Sequence, residues 1–520
     1  MVEQVDATGI RWERIQLLID LAVEPNEAFL RSIERPADRL APRPSPAGSG
    51  YLRFNLFAGN DRMPLRAGRW QLMARPVGAN EAVPVAIDPA TVDRSAADRS
   101  FVHREWTIRV TPASSEGRLE LEIAVWPTNG ERPGGLPGSW GLVLRRVRQR
   151  IFRAAVAGLR MLPRRGRLVV FTSDSRATLG GNLELIHDRM IVRGLHRKMR
   201  LRAILKPSVR ARRSTLDRLR LVWLLARADV ILLDDYQPAI YQLEPHPAVR
   251  IIQLWHAWGA FKTVGYSRIG KPGGPNPFSK VHKNYTFATV SSEVEVPFYA
   301  EAFGLPEASA IPTGTPRMDE FLDPAHQAAG RERALAAYPI ARDQEVILFA
   351  PTFRGDSAKR ADYPIEMIDL EALHRVAVER GAVIILKLHP FVQRSIEVRP
   401  ALADRIVNAS AAPIDVNDLL LISDLLVTDY SSIVFESAAL GLPMLFFAFD
   451  LDEYVASRDF YEPFTSFAPG RIVRTFAEMI DAIRAEDFEA HKVEPFAAAH
   501  LPPRGGSATD RIIDQLIAGP

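Results

Sequence analysis

Two histidines in this chain stand where a cleft would use them. His256 closes the apolar run of QLWHAWGAFKTVGYSR (253–268) and is followed by a loop carrying Gly259, Lys262 and Gly265. His389 lies in KLHPF (387–391), two residues after Lys387 and just before Pro390, which stops a helix. A histidine at a strand end, followed by a glycine-punctuated loop, can reach a ligand and move a proton near neutral pH, although a lone histidine is more often a structural hydrogen-bonding group. A third strand end carries hydroxyls: after the apolar run to Thr428 come Asp429, Tyr430, Ser431 and Ser432, then helical spacing from Ile433 to Leu440, with Gly441 and Pro443 beyond. A helix opening on a Ser pair offers free N–H groups to an anion such as phosphate; the same residues also serve as an ordinary N-cap. APTFRGD (350–356) adds Thr352, Arg354 and Gly355, either as a guanidinium or backbone contact to a phosphate or as a surface turn. In PTGTPRMDEF (312–321), Arg317 and Asp319 are spaced to pair across a loop. Cations, N–H donors and an imidazole without a metal cage suit a polyphosphate ester, with charge neutralised at phosphorus and one proton removed.

The elements that must hold these groups are short apolar strands alternating with helices. RLVVFTS, RLRAIL, ADVILLDD, RIIQLWH and TFATV form one set; EVILFAPTF, AVIILKLHP, RIVNAS, SDLLVTD and PMLFFAF form another. Strands apolar throughout predict parallel sheets covered on both faces, with ligands at their carboxyl ends. The α/β part therefore divides into two doubly wound domains, 167–330 and 331–520, joined near 325–340. Residues 1–133 alternate in the strand manner and predict an all-β sandwich-like domain with a structural or docking role. Between them, 134–166 holds a Pro/Gly linker and an amphipathic helix free of acidic residues. Leu144, Val147, Ile151, Ala155, Leu159 and Leu162 are expected on one face, and Arg145, Arg146, Arg150 and Arg153 on the other. Such a helix can lie on an anionic membrane, pack on the next domain or meet nucleic acid; no nucleic-acid-binding motif accompanies it. The chain of 520 residues has net charge +4 and no cysteine, which excludes disulfides and thiolate chemistry. Its first residues are acidic and polar, unlike a signal peptide, and no run of eighteen apolar residues occurs. Walker, dinucleotide and HExxH motifs are absent, so neither a cofactor nor a bound metal is expected.

In order along 167–520, the segments QLWHAWGAFKTVGYSR, PTGTPRMDEFLD, FAPTFRG, LKLHPF, DLLLISDLLVTDYSSIVFESAALGLPMLFF with Asp450 and Tyr454, and GGSATDRIIDQL resemble the CDP-glycerol glycerophosphotransferases, the teichoic acid polymerases and primases. The resemblance implies the GT-B fold and transfer of a polyol phosphate, glycerol phosphate in the first instance, from a CDP-activated donor. The acceptor would be a hydroxyl of a lipid-linked or growing polymer, and CMP would be released at the cytoplasmic face of the membrane. By the same resemblance His256 is the general base and His389 the donor-phosphate partner or second catalytic histidine. Thr428, Asp429, Tyr430, Ser431 and Ser432 form the donor pocket with Lys262, Arg354 and Lys387. Glu436 stands where the family commonly has Asp and would meet a ribose or polyol hydroxyl, and Ala257 replaces a frequent Gly; both departures leave the polyol open. The partners implied are CDP-glycerol or a related CDP-polyol, the polymer acceptor and an anionic membrane surface, not nucleic acid, with assembly into a homo-oligomer left open. A GT-B glycosyltransferase using a nucleotide sugar and a non-catalytic polymer-binding scaffold are the competing readings.

Overall fold

The computed structural model describes residues 5–45, 48–129, 140–163, 166–244, 246–355, 360–502 and 505–519. Strands β1 (Arg167–Ser173), β2 (Met199–Leu205), β3 (Val230–Leu233), β4 (Arg250–Gln253), β5 (Phe287–Thr289) and β6 (Ala310–Ile311) form a parallel sheet in the order β2-β1-β3-β4-β5-β6. A second parallel sheet contains β7 (Glu345–Phe349), β8 (Ala382–Leu386), β9 (Ile406–Asn408), β10 (Leu425–Thr428), β11 (Met444–Phe447) and β12 (Arg471–Val473), ordered β9-β8-β7-β10-β11-β12. Every residue of β3, β8, β10 and β11 is buried, as strands covered on both faces require. The order reverses between β1 and β3 and between β7 and β10, so each sheet has a crevice at those carboxyl ends.

The two halves interlock. Trp258 and Phe261, on the loop after β4, belong to the core of the second half, while Tyr461 from the second half sits in the core of the first. Gly259 makes this approach feasible, because a Cβ there would come within 2.0 Å of the Phe435 ring. The chain end also crosses over: Ile512, Ile513, Leu516 and Ile517 share a core with Val169 and Phe171 of β1. Residues 508–518, expected in the second half, therefore pack against the first sheet. Length alone does not show a late helix returning to an earlier domain.

Among the described residues the N-terminal region has eleven strands in one hydrogen-bonded network, in which Asp6–Glu13, Gln16–Leu21 and Tyr51–Asn55 join the remaining strands only through the short Ala86–Ile87. The long hairpin Trp106–Ser115 with Arg118–Pro127 is its backbone, and its core includes Trp70, Phe54 and Phe101. Tyr266 and Ile269, from the loop after β4, complete that same core, and Arg14 pairs with the buried Glu301 at 3.0 Å. The β region is thus built into the first α/β half.

Helices α1 (Trp140–Arg160), α2 (Gly181–Val192) and α3 (Thr215–Arg227) cover the first sheet. Of the stripe expected on α1, Leu159 packs inward, but Val156 and Phe152 are its companions; Ile151 and Leu162 are 62% and 52% exposed. Arg153 turns toward the body, pairing with Glu244 at 3.0 Å, and Arg150 is exposed. The side chains of Leu144, Arg145 and Arg146 lie outside the described residues. The stripe is split because α3 shares a core with only part of the circumference of α1, through Val156, Leu221, Leu224 and Leu225.

Candidate functional site

His256 follows β4 on a backbone that three side-chain contacts fix. Trp255, just before it, has φ +53°, a conformation that L side chains rarely adopt and that persists where surroundings over-determine it. Its N–H donates to Gln253 Oε1 at 2.9 Å, its carbonyl accepts from Asn182 Nδ2 at 2.6 Å, and its ring lies 4.4 Å from that of His256. The backbone of Asp234, just after β3, acts on the His256 ring and favours its charged form. Desolvation lowers its pKa and the nearby Arg317 and Arg176 add to this, while Asp235 opposes them. The net lowering favours a neutral imidazole at pH 7, the form that can accept a proton. Behind it the buried Asp234 pairs with Arg176 at 2.9 Å, and burial pushes its carboxyl up to about 6.

Facing this strand end is a cavity of about 840 Å³ at the carboxyl ends of β7, β8 and β10. Lys387, His389, Ser410, Ser431, Ser432 and Glu436 line it, joined by Arg317 from the first half. His389 is held with Nδ1 accepting from Phe391 N–H at 3.1 Å and its ring between Phe353 and Phe391, each 4.7 Å away. Burial, and next the positive Lys262, lower its pKa, so it is neutral and its Nε2 carries the proton. Helix α4 (Pro316–Leu322) presents Arg317 in its first turn, and Asn182 Oδ1 accepts the Arg317 backbone N–H at 3.0 Å. Asn182, 2% exposed, therefore positions the strand end of His256 and the start of α4 together.

The sequence reading expected Arg317 to pair with Asp319. Instead Asp319 accepts bonds from Ser507 Oγ, Ala508 N, Thr509 N and Thr509 Oγ1 at 2.7–2.8 Å, capping α6, which follows α5 (Val434–Ala439) in the chain and spans Ala508–Ile512. Arg317 makes no ion pair among the described residues, and its charge is felt by His256 on one side and Glu436 on the other. Glu436 Oε2 is buried without a hydrogen-bond partner, and burial pushes its carboxyl up to about 7. An unpaired guanidinium beside an orphaned carboxyl oxygen is the donor and acceptor set of a polar ligand. Arg317 was read only as a partner of Asp319, and Asn182 was missed because an Asn after two glycines carries no motif signal. The usable hint was Pro316, which marks a helix start and puts Arg317 in its first turn.

Several of the residues expected in the donor pocket are bonded to neighbouring loops. Asp429 is fully buried and accepts from Thr352 N at 2.7 Å, Tyr430 N at 2.6 Å and Arg354 Nη1 at 2.9 Å. Arg354 also grips Asp450 through two bonds of 2.6 and 2.8 Å; burial would lower its pKa, but Asp429 and Asp450 raise it further. Tyr430 donates to Asp450 at 3.1 Å and stacks on Tyr454 at 4.0 Å, and Thr428 Oγ1 donates to Ala350 O at 2.8 Å. Lys387 lines the cavity yet donates to Ala409 O and Ala412 O at 2.9 and 3.0 Å, fixing the opposite wall. Lys262 lies on a separate cavity of about 870 Å³ with Arg268, Arg354 and Arg458; burial lowers its ammonium to about 8 against the pull of Asp429. Helix α5 has only six residues and its N-cap is Ile433, so the Ser pair precedes the helix rather than capping it. What reaches the cavity is the turn itself, with Ser432 exposed and Ser431 Oγ accepting from Ile433 N–H at 3.4 Å.

Residues 155–518 match the family described as CDP-glycerol:poly(glycerophosphate) glycerophosphotransferase. The chain is 43% identical over 372 residues to the teichoic acid ribitol-phosphate polymerase TarL of Staphylococcus aureus, covering 71% of this chain and 66% of that protein. It is 39% identical over 374 residues to the teichoic acid poly(ribitol-phosphate) polymerase of Bacillus spizizenii, covering 72% and 60% respectively. Identity to the teichoic acid glycerol-phosphate primase of Bacillus subtilis is 29% over 288 residues, covering 54% and 71%. The solved structure of the wall teichoic acid polymerase TagF superposes with TM-score 0.53 at 20% identity, covering 71% of this chain and 95% of that one, and so shares the fold. The matches to the two ribitol-phosphate polymerases span less than two thirds of those relatives' lengths. The two sheets, their crevices and this match over 155–518 place the chain in the CDP-glycerol:poly(glycerophosphate) glycerophosphotransferase family.

Proposed function

We propose that this chain is a GT-B transferase that moves a polyol phosphate from a CDP-activated donor to a hydroxyl of a teichoic-acid-like polymer and releases CMP. The observation that carries this reading is the unpaired Arg317 set between the neutral His256 and the cavity of Ser431, Ser432, His389 and Glu436. The diphosphate lies against the N–H and hydroxyl groups of the Ser431–Ser432 turn, with Arg317 and the His389 Nε2–H neutralising its oxygens. Glu436 accepts from a ribose or polyol hydroxyl. His256 takes the proton of the acceptor hydroxyl as its oxygen attacks the polyol-bearing phosphorus. The bond from that phosphorus to the CMP oxygen breaks, and CMP leaves with the electron pair. The relatives at higher identity are ribitol-phosphate polymerases, which supports ribitol alongside the glycerol named by the family description.

The same reading puts the enzyme at the cytoplasmic face of a membrane. No helix among the described residues is long and apolar enough to cross one. Helices α1 and α3, with the turn after α1, instead expose Ile151, Leu162, Leu216, Leu219 and Trp223 together with Arg150, Arg218 and Arg220. Apolar side chains among arginines suit an anionic interface that also anchors the acceptor. The test is acceptor-dependent CMP release from CDP-glycerol, CDP-ribitol and a UDP-sugar in turn. Release from a CDP-polyol alone supports the reading; release of UDP alone moves the chain to the glycosyltransferases, and donor silence with polymer binding to the scaffold alternative.

A further inference from the structure

A second large groove, of about 1180 Å³, lies where the β region meets the first catalytic half. One wall is the β-region segment Val102–Glu105 with Thr128. The other is Gln149 and Arg153 of α1 together with Tyr236–Gln242, the turn that leaves β3, and the floor is the loop from Gly270 to Val281. Its charge is one-sided: Arg104, Arg153, Lys271 and Lys280 face a single carboxylate, Glu105, which accepts from Asn276 Nδ2 at 2.6 Å. Arg153 and Lys271 share their charge with Glu244 and Asp459, both at 3.0 Å, whereas Arg104 and Lys280 are exposed and make no ion pair among the described residues.

One wall of the groove is the turn that leaves β3, the strand paired with β4, which His256 follows. Tyr236 follows Asp235, whose charge acts on His256. Behind that wall packed rings tie it to His256 as one rigid body: Tyr236 to the buried Tyr241 at 5.1 Å, Tyr241 to His282 at 5.6 Å, His282 to Trp255 at 6.4 Å and Trp255 to His256 at 4.4 Å. The far end of the groove is α1, beside the exposed apolar side chains. A flexible strand with a regular negative charge and many hydroxyls fits such a cleft, whereas a bilayer surface is flat and would meet the convex outer faces of α1 and α3.

Resting on the function proposed above, we propose that this groove holds the already built poly(polyol phosphate) segment of the acceptor, with Arg104 and Lys280 as its phosphate contacts, and leads its terminal hydroxyl to His256. The β region then serves as one wall of the polymer track, which accounts for its being packed into the catalytic half.

The test uses the full chain and a fluorescent poly(glycerol phosphate) oligomer, comparing wild type with the double variant Arg104→Gln, Lys280→Gln. Loss of two phosphate contacts predicts an oligomer Kd raised about tenfold, a shallower dependence of binding on salt, and unchanged CDP affinity. In turnover assays KM rises for long acceptors and not for an acceptor with one polyol phosphate. Equal oligomer binding by variant and wild type overturns the proposal, as does weakened flotation on anionic vesicles with oligomer binding unchanged, which assigns the cations to the membrane. CMP release by a chain whose oligomer binding ignores both substitutions removes the groove alone. Groove-dependent oligomer binding without CMP release from any CDP-polyol removes the transferase reading alone.

Discussion

The carboxyl end of the second sheet carries two groups of charge, a short way apart and built on opposite plans. In the first, Arg354 is closed between Asp429 and Asp450, and the surrounding hydrogen bonds hold the turns after β7, β10 and β11 together. In the second, Arg317 has no ion pair among the described residues, Glu436 Oε2 has no hydrogen-bond partner, and both meet an open cavity. A buried charge with complete partners is a fastener, and removing one partner strands the other; a charge left without partners in a cavity is held for something absent. The comparison sorts residues that look alike in sequence, since Arg354 and Arg317 both follow strand ends in loops with Pro, Gly and Thr.

Substitutions should separate the two groups. The largest effect is expected at the open site, where His256→Ala removes the base and lowers turnover by about 10³-fold with donor binding retained; near-wild-type turnover would end its assignment. Arg354→Ala should cost about 3–5 kcal/mol of folding stability, because Asp429 is left buried and unpaired. Chemical denaturation reads this, and an unchanged midpoint would contradict the fastener role. Arg317→Ala should show the reverse pattern, with the denaturation midpoint nearly unchanged and kcat/KM lowered by about 10²-fold. Equal loss of stability in both variants would erase the distinction. The smallest effect concerns pH. Glu436 has its folded pKa raised to about 7, above the ordinary value of 4.5, so the protonated form is favoured on folding and that stability is lost as pH rises through 7. Glu436→Gln should therefore raise the melting temperature at pH 8 relative to wild type by more than it does at pH 5, and weaken donor binding. A shift independent of pH would place the carboxyl's titration elsewhere.

Legibility followed the same division. The alternation of apolar strands and helices located both sheets, because burial on two faces leaves a pattern in each strand that no tertiary context is needed to read. The ends of β4, β8 and β10 were visible for the same reason, and with them His256, His389 and the Ser431–Ser432 turn. What the pattern could not tell was the direction of a side chain leaving a strand end. Arg354, Asp429, Tyr430 and Lys387 were expected in the donor pocket from the family resemblance, and each also holds a neighbouring loop. Arg317 was assigned a partner that Ser507, Ala508 and Thr509 had already taken, a contact spanning nearly two hundred residues. Likewise the crossing of residues 508–518 to the first sheet, and the sharing of the β-region core with Tyr266 and Ile269, depend on long-range packing that no local period records.

The central claim is that the donor diphosphate lies between Arg317 and the Ser431–Ser432 turn, within reach of an acceptor oxygen activated by His256. A structure of the His256→Ala variant with CDP-ribitol or CDP-glycerol bound tests this most directly. The account predicts phosphate oxygens within hydrogen-bond distance of the Arg317 guanidinium and the Ser432 N–H, with the polyol-bearing phosphorus turned toward the vacated imidazole position. Phosphates seated instead among Lys262, Arg268 and Arg458, in the neighbouring cavity, would contradict it.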